Sequence, residues 1–468
     1  MKKSLLTVIA ILLIASMALA ACKTEPAPTV EPTEPEVVEE TVEVVDEPEV
    51  TEEVVEETVE VTKGLTCAEP VKIGLITDLT GSLQSYGAWM IRSFMIGMEY
   101  ATGAPGSAGD VFDFAATQEN TFKVDNCEII VYVRDDASNP EMTTTVANEL
   151  IDIQKVNFLV GTANSGVTAV LQGIAQAANV PLIVAPAAAS DITGVNFNEY
   201  TFRTSRNNYQ DAMNECIALI PNYKTFIQLA LDNAFGHGSA EAFRDACTQL
   251  GGEFVADDIF APYNTDDFTP YMEQIAESGA EAYIITWAGS GFIPLFQAAA
   301  DQGVTDTMEL GTTFIDNLLM PAFYGNAIGT TAGILYHYTA PNNPINDFLV
   351  AETQARYGVS PDLFDADGMN AAIMILETLK KTAGDLTPGT LIAAMEGLEF
   401  EGPKGTIYIR PEDHVAIQDM YILKLENLTD PMGDFFSYVD TTRPEPPCLL
   451  PEGLKDRCGD LPYGKLGD

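Results

Sequence analysis

The chain has 468 residues, of which 69 are acidic and 23 are basic, so its formal net charge is −46 at pH 7. That charge excludes nucleic acid as a partner, because binding to phosphate groups needs a basic surface. Beyond the N-terminal region, the remaining stretch of about 400 residues is too long for one typical core and favours two lobes.

Residues 1–21 have the composition of an export signal. Two lysines, Lys2 and Lys3, precede an apolar run and then small residues, and the run is too short to span a bilayer. The tetrad "LAAC" ending at Cys22 resembles the bacterial lipobox, in which the cysteine is acylated and becomes the first residue of the mature protein. The alternative is an ordinary signal peptide followed by an incidental cysteine. We predict that lipidation of Cys22 anchors the chain to the cell membrane, with an extracytoplasmic location.

Residues 22–66 predict a disordered acidic tether. The segment consists almost entirely of Glu, Val, Thr and Pro, and "EVVEETVEV" occurs in it twice. Dense like charge and repeated proline leave too little apolar surface to offset the entropy of ordering. Extended at roughly 3 Å per residue, the tether could hold a domain about 100 Å or more from its anchor.

From Val71 onwards, short apolar runs alternate with longer amphipathic runs. "VKIGLITDL" predicts a buried strand and "GAWMIRSFMIGMEYA" the helix after it, and this order repeats through "PLIVAP". A second series of the same kind runs from "TFIQLALDN" to "MELGTTF". The pattern predicts an α/β fold with two similar lobes, each with a mostly parallel sheet. Ligands of such folds bind at the carboxyl ends of strands and in clefts between lobes.

Six cysteines remain once Cys22 is set aside, which is an even number in an exported chain. We predict disulfides between sequential partners, which are Cys67 with Cys127, Cys216 with Cys247, and Cys448 with Cys458. A reactive thiol or a metal cluster is the alternative, and the lack of CxxC spacing makes it the weaker one. We therefore predict no metal site and no cofactor.

Four segments in a characteristic order carry a family resemblance. They are "ITDLTGSLQSYG", the run from "VRDDASNPEM" to "APAAASDIT", "YTFRTSRNNYQDA", and "GPKGTIYIRPEDHVAIQDMYILKLEN". With this order, the stretch Val71–Asn427 resembles the substrate-binding proteins of branched-chain amino acid ABC transporters, which are type I periplasmic binding proteins of the Leu/Ile/Val-binding kind.

The resemblance implies two Rossmann-like lobes, joined by three crossings, that close on a small-molecule ligand, which would be an amino acid or a related small carboxylate or amide. Lobe 1 would comprise residues 67–198 and 341–412, lobe 2 residues 199–340 and 413–446, and a tail residues 447–468. It also implies a monomer that delivers its ligand to ABC permease and ATPase subunits. A ligand-sensing receptor subunit of a signalling system, which uses the same fold, is the alternative.

On lobe 1, the resemblance places Ser165 where the family binds a ligand carboxylate, at the start of a helix that favours anions. Thr162 and Asn164 are its neighbours, and simple helix capping is the alternative role for Ser165. Ser190 corresponds to a second polar position of the family. Tyr86 belongs to a "YG" turn in which a backbone contact to the ligand is expected.

On lobe 2, Phe235 matches a position where relatives often carry a tyrosine that covers the ligand. Trp287 follows a strand and would be either a wall of the pocket or a buried structural residue. Relatives that bind leucine have an acidic partner for the ligand ammonium where this chain has Thr312 and Thr313. Asp316 could substitute or could cap the following helix. The departure favours amides, aromatic acids and other small carboxylates over aliphatic amino acids, because a buried ammonium without a carboxylate is costly.

An enzyme is disfavoured by the sequence. No GxSxG, HExxH or P-loop spacing occurs, and the histidines are far apart. His237 follows a strand at the predicted cleft and is the histidine to test, whereas His414 is predicted to be structural. Asp135 and Asp136 are predicted to end a strand rather than to act as catalytic carboxylates or metal ligands.

Overall fold

A computed structural model describes residues 64–109, 118–312 and 316–467. The export signal, Cys22, nearly all of the predicted tether, and Thr313 lie outside these described residues. Within them, no helix is long and apolar enough to cross a membrane.

The first sheet has six strands in the order β2-β3-β1-β4-β5-β6. Its strands are β1 (Val71–Thr77), β2 (Glu119–Val124), β3 (Cys127–Asp135), β4 (Phe158–Val160), β5 (Leu182–Val184) and β6 (Thr201–Arg203). β2 pairs antiparallel with β3, and all other neighbours are parallel. The connecting helices are α1 (Gln84–Thr102), α2 (Pro140–Glu149), which a π-helical turn extends, and α3 (Ser165–Ala178). The apolar runs form strands that are buried on both faces, as in parallel sheets generally.

The second sheet is entirely parallel, in the order β11-β10-β7-β8, and β9 also pairs with β7. Its strands are β7 (Thr225–Leu231), β8 (Glu253–Phe254), β9 (Ile259–Ala261), β10 (Ala282–Thr286) and β11 (Glu309–Gly311). The helices of this half are α4 (Asn208–Leu219), α5 (Ala234–Gln249), α6 (Thr269–Glu277), α7 (Phe292–Asp301) and α8 (Val304–Thr307). The run "EFVADDIF" contributes to two short strands, β8 and β9. Asp258 interrupts it, with its carboxylate accepting a hydrogen bond from the Gln228 side chain at 2.7 Å.

The chain then crosses between the halves and adds two antiparallel sheets of three strands each. One contains β12 (Thr331–Ile334), β16 (Met420–Leu425) and β17 (Phe436–Thr442), and the other contains β13 (Glu399–Gly402), β14 (Gly405–Ile409) and β15 (Ala416–Ile417). The remaining helices are α9 (Met320–Phe323), α10 (Pro344–Tyr357), α11 (Asp365–Lys381) and α12 (Pro388–Met395). α11 packs closely on α1, and a Cβ at Gly368 would lie 2.2 Å from the carbonyl oxygen of Met90.

The six cysteines form three disulfides in the sequential pairing that the sequence analysis favoured. They are Cys67–Cys127, Cys216–Cys247 and Cys448–Cys458. In the described part of the chain, no group of three or more His, Cys, Asp or Glu residues could hold a metal ion.

Candidate ligand-binding cleft

A cleft lies where the carboxyl ends of the two parallel sheets face each other. Its volume is about 570 Å³, counted with the part open to solvent. The residues that line it are Leu83, Tyr86, Ala163, Asn164, Ser165, Gly166, Pro186, Ala187, Ala188, Arg206, Leu231, Asn233, Phe235, Tyr263, Ala288 and Phe364. The lining is mostly apolar and aromatic, with a few polar groups, as is typical of small-molecule sites.

The start of α3 supplies the polar end of the cleft. Asn164 is the N-cap, and its side chain accepts a hydrogen bond from the backbone N–H of Gly166 at 2.8 Å. Ser165 is 6% exposed, and its hydroxyl accepts from the backbone N–H of Ala189 at 3.2 Å. Free N–H groups of a first helical turn attract anions. This end of the cleft is therefore suited to a carboxylate.

Thr162 and Ser190 lie behind this lining and are not part of it. The Thr162 hydroxyl is buried and lies 2.9 Å from the hydroxyl of Thr168. Ser190 is buried, and its backbone N–H donates to Asn208 Oδ1 at 3.0 Å. Ala187 and Ala188 stand at the cleft in place of Ser190. The segment that follows β5 thus places the small side chains of Ala187 and Ala188 at the cleft.

Each half of the molecule presents an aromatic residue followed by glycine. In Tyr86-Gly87, a Cβ on the glycine would lie 1.8 Å from the carbonyl oxygen of Asp78, and in Phe235-Gly236 it would lie 1.9 Å from that of Leu231. Glycine therefore lets each helix start approach the end of the strand before it. This close approach brings both aromatic rings to the cleft.

Sequence reasoning missed Phe364 and Tyr263, which complete the aromatic walls. The rings of Tyr86 and Phe364 pack edge to face with centroids 4.9 Å apart. Phe364 immediately precedes α11, far along the chain from the other lining residues, and no local pattern marks it. These walls present ring faces and edges, which favour stacked and edge-to-face contacts with other aromatic rings.

Trp287 supports the wall without lining it. The side chain is fully buried, its Nε1 donates to the carbonyl oxygen of Ser290 at 2.8 Å, and its ring packs edge to face on Phe268. The next residue, Ala288, reaches the cleft instead. Of the two roles open to Trp287, the geometry favours the buried structural one.

Asp316 lies outside the cleft lining. Its carboxylate accepts from the backbone N–H of Leu319 at 2.7 Å, just before α9, as a capping role requires. Burial raises the pKa of Asp316 to about 6. Asp362 accepts from the backbone N–H of Asn317 at 3.1 Å, and burial, followed by repulsion from Asp316, raises its pKa to about 8. Burial therefore raises the pKa of both carboxyl groups above the ordinary range of aspartate.

Arg206 is the charged residue among the cleft-lining residues that the structure describes, and sequence reasoning missed it. Its Nη1 donates to the carbonyl oxygen of Pro186 at 2.7 Å, and its Nε donates to Asp211 Oδ1 at 3.1 Å. The guanidinium also lies over the ring of Phe364, 5.2 Å from the centroid. The signal in the sequence is the second arginine of "FRTSRNN".

Residues 70–430 match the sequence profile of the family described as Periplasmic binding protein. The chain belongs to this family. This binding protein is 26% identical over 375 residues to the Leu/Ile/Val-binding protein homolog 6 of Brucella melitensis, an alignment that covers 78% of this chain and 89% of that one.

Two solved structures from Rhodopseudomonas palustris are similar to this binding protein. An ABC-type branched-chain amino acid transporter protein is 31% identical with a TM-score of 0.66, and the match covers 80% of this chain and 96% of the other. A solute-binding protein of an ABC transporter, in complex with 3,4-dihydroxybenzoic acid, is 26% identical with a TM-score of 0.68, over 80% and 97% of the two chains.

These matches confirm the predicted family and the type I periplasmic binding protein fold. They also identify this binding protein as a substrate-binding protein of the ABC-transporter kind and not an enzyme, as predicted. Proteins of this kind bind small molecules and deliver them to permease and ATPase components. The family is consistent with an extracytoplasmic location.

Proposed function

We propose that this protein is the lipid-anchored substrate-binding component of an ABC importer and that its ligand is a small aromatic carboxylate. The observation that carries the proposal is the composition of the cleft, in which an anion-favouring helix start faces aromatic walls. The relative bound to 3,4-dihydroxybenzoic acid supports the same class of ligand.

The proposed ligand contacts divide between two ends of the cleft. The carboxylate binds at Ser165 and the first turn of α3, and the ring packs among Tyr86, Phe364 and Phe235. The two halves close on it, since a ligand favours a closed state when it contacts both lobes. The lobe boundaries given above and a monomeric state are part of this proposal.

The first test is native mass spectrometry of the full chain, purified without refolding. We expect a retained aromatic carboxylic acid, and isothermal titration with benzoate and 4-hydroxybenzoate then measures the dissociation constant Kd. Retention of leucine, isoleucine or valine would contradict the aromatic ligand and leave the transport role in place.

The anchor needs a separate test, since Cys22 lies outside the described residues. We expect radiolabelled palmitate to be incorporated into the wild-type chain and not into a Cys22→Ala variant, which should be released from the membrane fraction. Membrane association of the variant equal to that of the wild type would argue against lipidation at Cys22.

A further inference from the structure

A cluster of buried charges lies beside the cleft. Its cations are Arg203, Arg206 and Lys404, and its carboxyl groups are Asp211 and Asp367, all of them no more than 2% exposed. The five groups interact electrostatically, because the charges of Arg206, Asp211 and Asp367 each shift the pKa values of Arg203 and Lys404. Among the described residues, three cations face two carboxyl groups, so the cluster has one more positive than negative group.

Two neighbouring ion pairs do not change the excess of one positive group in the cluster. Arg410 pairs with Asp413 at 2.5 Å, and Arg443 pairs with Asp419 at 2.8 Å. Each of these pairs is neutral within itself. Burial, followed by repulsion from Arg206, lowers the pKa of Arg203 to about 9.

Arg206 places this positive charge at the cleft. The side chain is 1% exposed, yet it lines the cleft between Pro186 and Phe364. Its bonds to the carbonyl oxygen of Pro186 and to Asp211 hold the guanidinium in place. Arg206 therefore places a guanidinium group at this wall of the cleft.

The carboxylate end of the cleft is close to this charge. Pro186 receives the Arg206 hydrogen bond, and Ala189 donates to the Ser165 hydroxyl. Three residue steps separate these two positions, which limits their Cα separation to about 10 Å. A ligand the size of a benzoate therefore lies within reach of both ends.

We propose that Arg206 is a specificity-determining residue that makes the cleft select ligands of net negative charge and reject ligands that carry an ammonium group. The inference rests on the proposed function and refines its ligand class. An anion adds negative charge beside a buried cluster in which, among the described residues, cations outnumber carboxyl groups by one, and uncompensated buried charge is unfavourable. An ammonium group would meet a like charge in a site of low dielectric constant, where repulsion is strong.

The test uses the full chain and three probes that share a 4-hydroxyphenyl group, which are 4-hydroxybenzoate, 4-hydroxybenzamide and L-tyrosine. Isothermal titration at pH 7.5 should give the wild type at least a tenfold lower Kd for the benzoate than for the neutral amide or the zwitterion. Arg206→Met should reduce this preference to less than threefold, and Arg206→Lys should keep most of it because the charge remains.

Arg443→Met is the matched control. It removes a guanidinium from the same region, but Arg443 is partly exposed and does not line the cleft. The control should retain the full preference for the benzoate. Circular dichroism establishes that each variant is folded, and the ratio of the wild-type constants tests charge selection even if Arg206→Met fails to fold.

Each other result has a distinct meaning. Equal binding of L-tyrosine or of the amide by the wild type would overturn charge selection while the small-molecule binding function stands. Retention of the preference by folded Arg206→Met would overturn the role of Arg206. If none of the three probes binds, the aromatic carboxylate class itself fails, together with this inference.

Discussion

The Ser165 hydroxyl and the backbone N–H of Ala189 are joined by a hydrogen bond of 3.2 Å, which ties the start of α3 to the chain that follows β5. The hydroxyl accepts this hydrogen bond and can still donate its own proton to a ligand carboxylate. We predict that Ser165→Ala raises the Kd for the bound carboxylate at least several-fold and leaves the fold intact. Isothermal titration and thermal unfolding measure the two effects.

Ser190→Ala is the control for that variant. Ser190 is also buried, but it does not line the cleft, so its removal should change the Kd by less than twofold. An unchanged Kd for Ser165→Ala would refute the assignment of the carboxylate to this helix start. A large increase in Kd for Ser190→Ala would show that Ser190 contributes to ligand binding.

Phe235 provides an aromatic wall from the second half of the cleft. We predict that Phe235→Leu, which keeps an apolar side chain, raises the Kd for an aromatic ligand roughly 2- to 10-fold, because aromatic pairs contribute about 0.5–1.5 kcal/mol beyond burial. Titration with 4-hydroxybenzoate measures this. Phe243→Leu, in the core face of α5, should lower the unfolding temperature and not the affinity. Equal affinities of wild type and Phe235→Leu would exclude ring stacking at this wall.

Arg92 of α1 and Asp365 of α11 form a buried ion pair with two hydrogen bonds, of 2.7 and 2.5 Å. We predict that Arg92→Met lowers the free energy of unfolding by about 3–5 kcal/mol, because it leaves a buried carboxylate without its partner. The double variant Arg92→Met, Asp365→Asn should lose less than the sum of the single variants. Urea unfolding followed by circular dichroism measures these values, and strict additivity would show that the pair is not coupled.

Glu396 links stability to pH. Hydrogen bonds from His414 and Arg457 lower its pKa to about 2, whereas an unperturbed glutamate has a pKa of about 4.3. A pKa that is lower in the folded chain stabilises the fold above about pH 4.3, and this stabilisation is lost as the pH falls towards 2. The unfolding temperature of Glu396→Gln should therefore fall less steeply between pH 5 and pH 2. Parallel curves for variant and wild type would exclude this contribution.

The disulfides should differ in their contribution to stability. Cys67 and Cys127 are 60 residues apart, whereas Cys448 and Cys458 are 10 residues apart. Because loop closure restricts the unfolded chain more for longer loops, removing them should cost about 4 and about 3 kcal/mol respectively. Urea unfolding of the paired Cys→Ser variants measures both values, and a larger loss for the short loop would show that native contacts of the tail dominate.

The parallel strands of the two larger sheets could be predicted from the sequence because they are local apolar runs separated by amphipathic helices. The sequence also predicted the helix start at Ser165 and the aromatic positions at Tyr86 and Phe235. Each of these features is built from a few adjacent residues. The lack of an acidic residue at Thr312 and Thr313 is also a local feature, and it favours aromatic acids and other small carboxylates or amides over aliphatic amino acids.

Trp287, Arg206 and Phe364 show where local pattern is insufficient. A strand end specifies which edge of the sheet a residue occupies but not whether its side chain points into the cleft, so Trp287 is buried and its neighbour Ala288 lines the site. Arg206 reaches the cleft because Pro186 and Asp211 hold it there, and Phe364 meets Tyr86 from a segment nearly 280 positions later. Such contacts depend on how distant segments pack together, which no short stretch of sequence encodes.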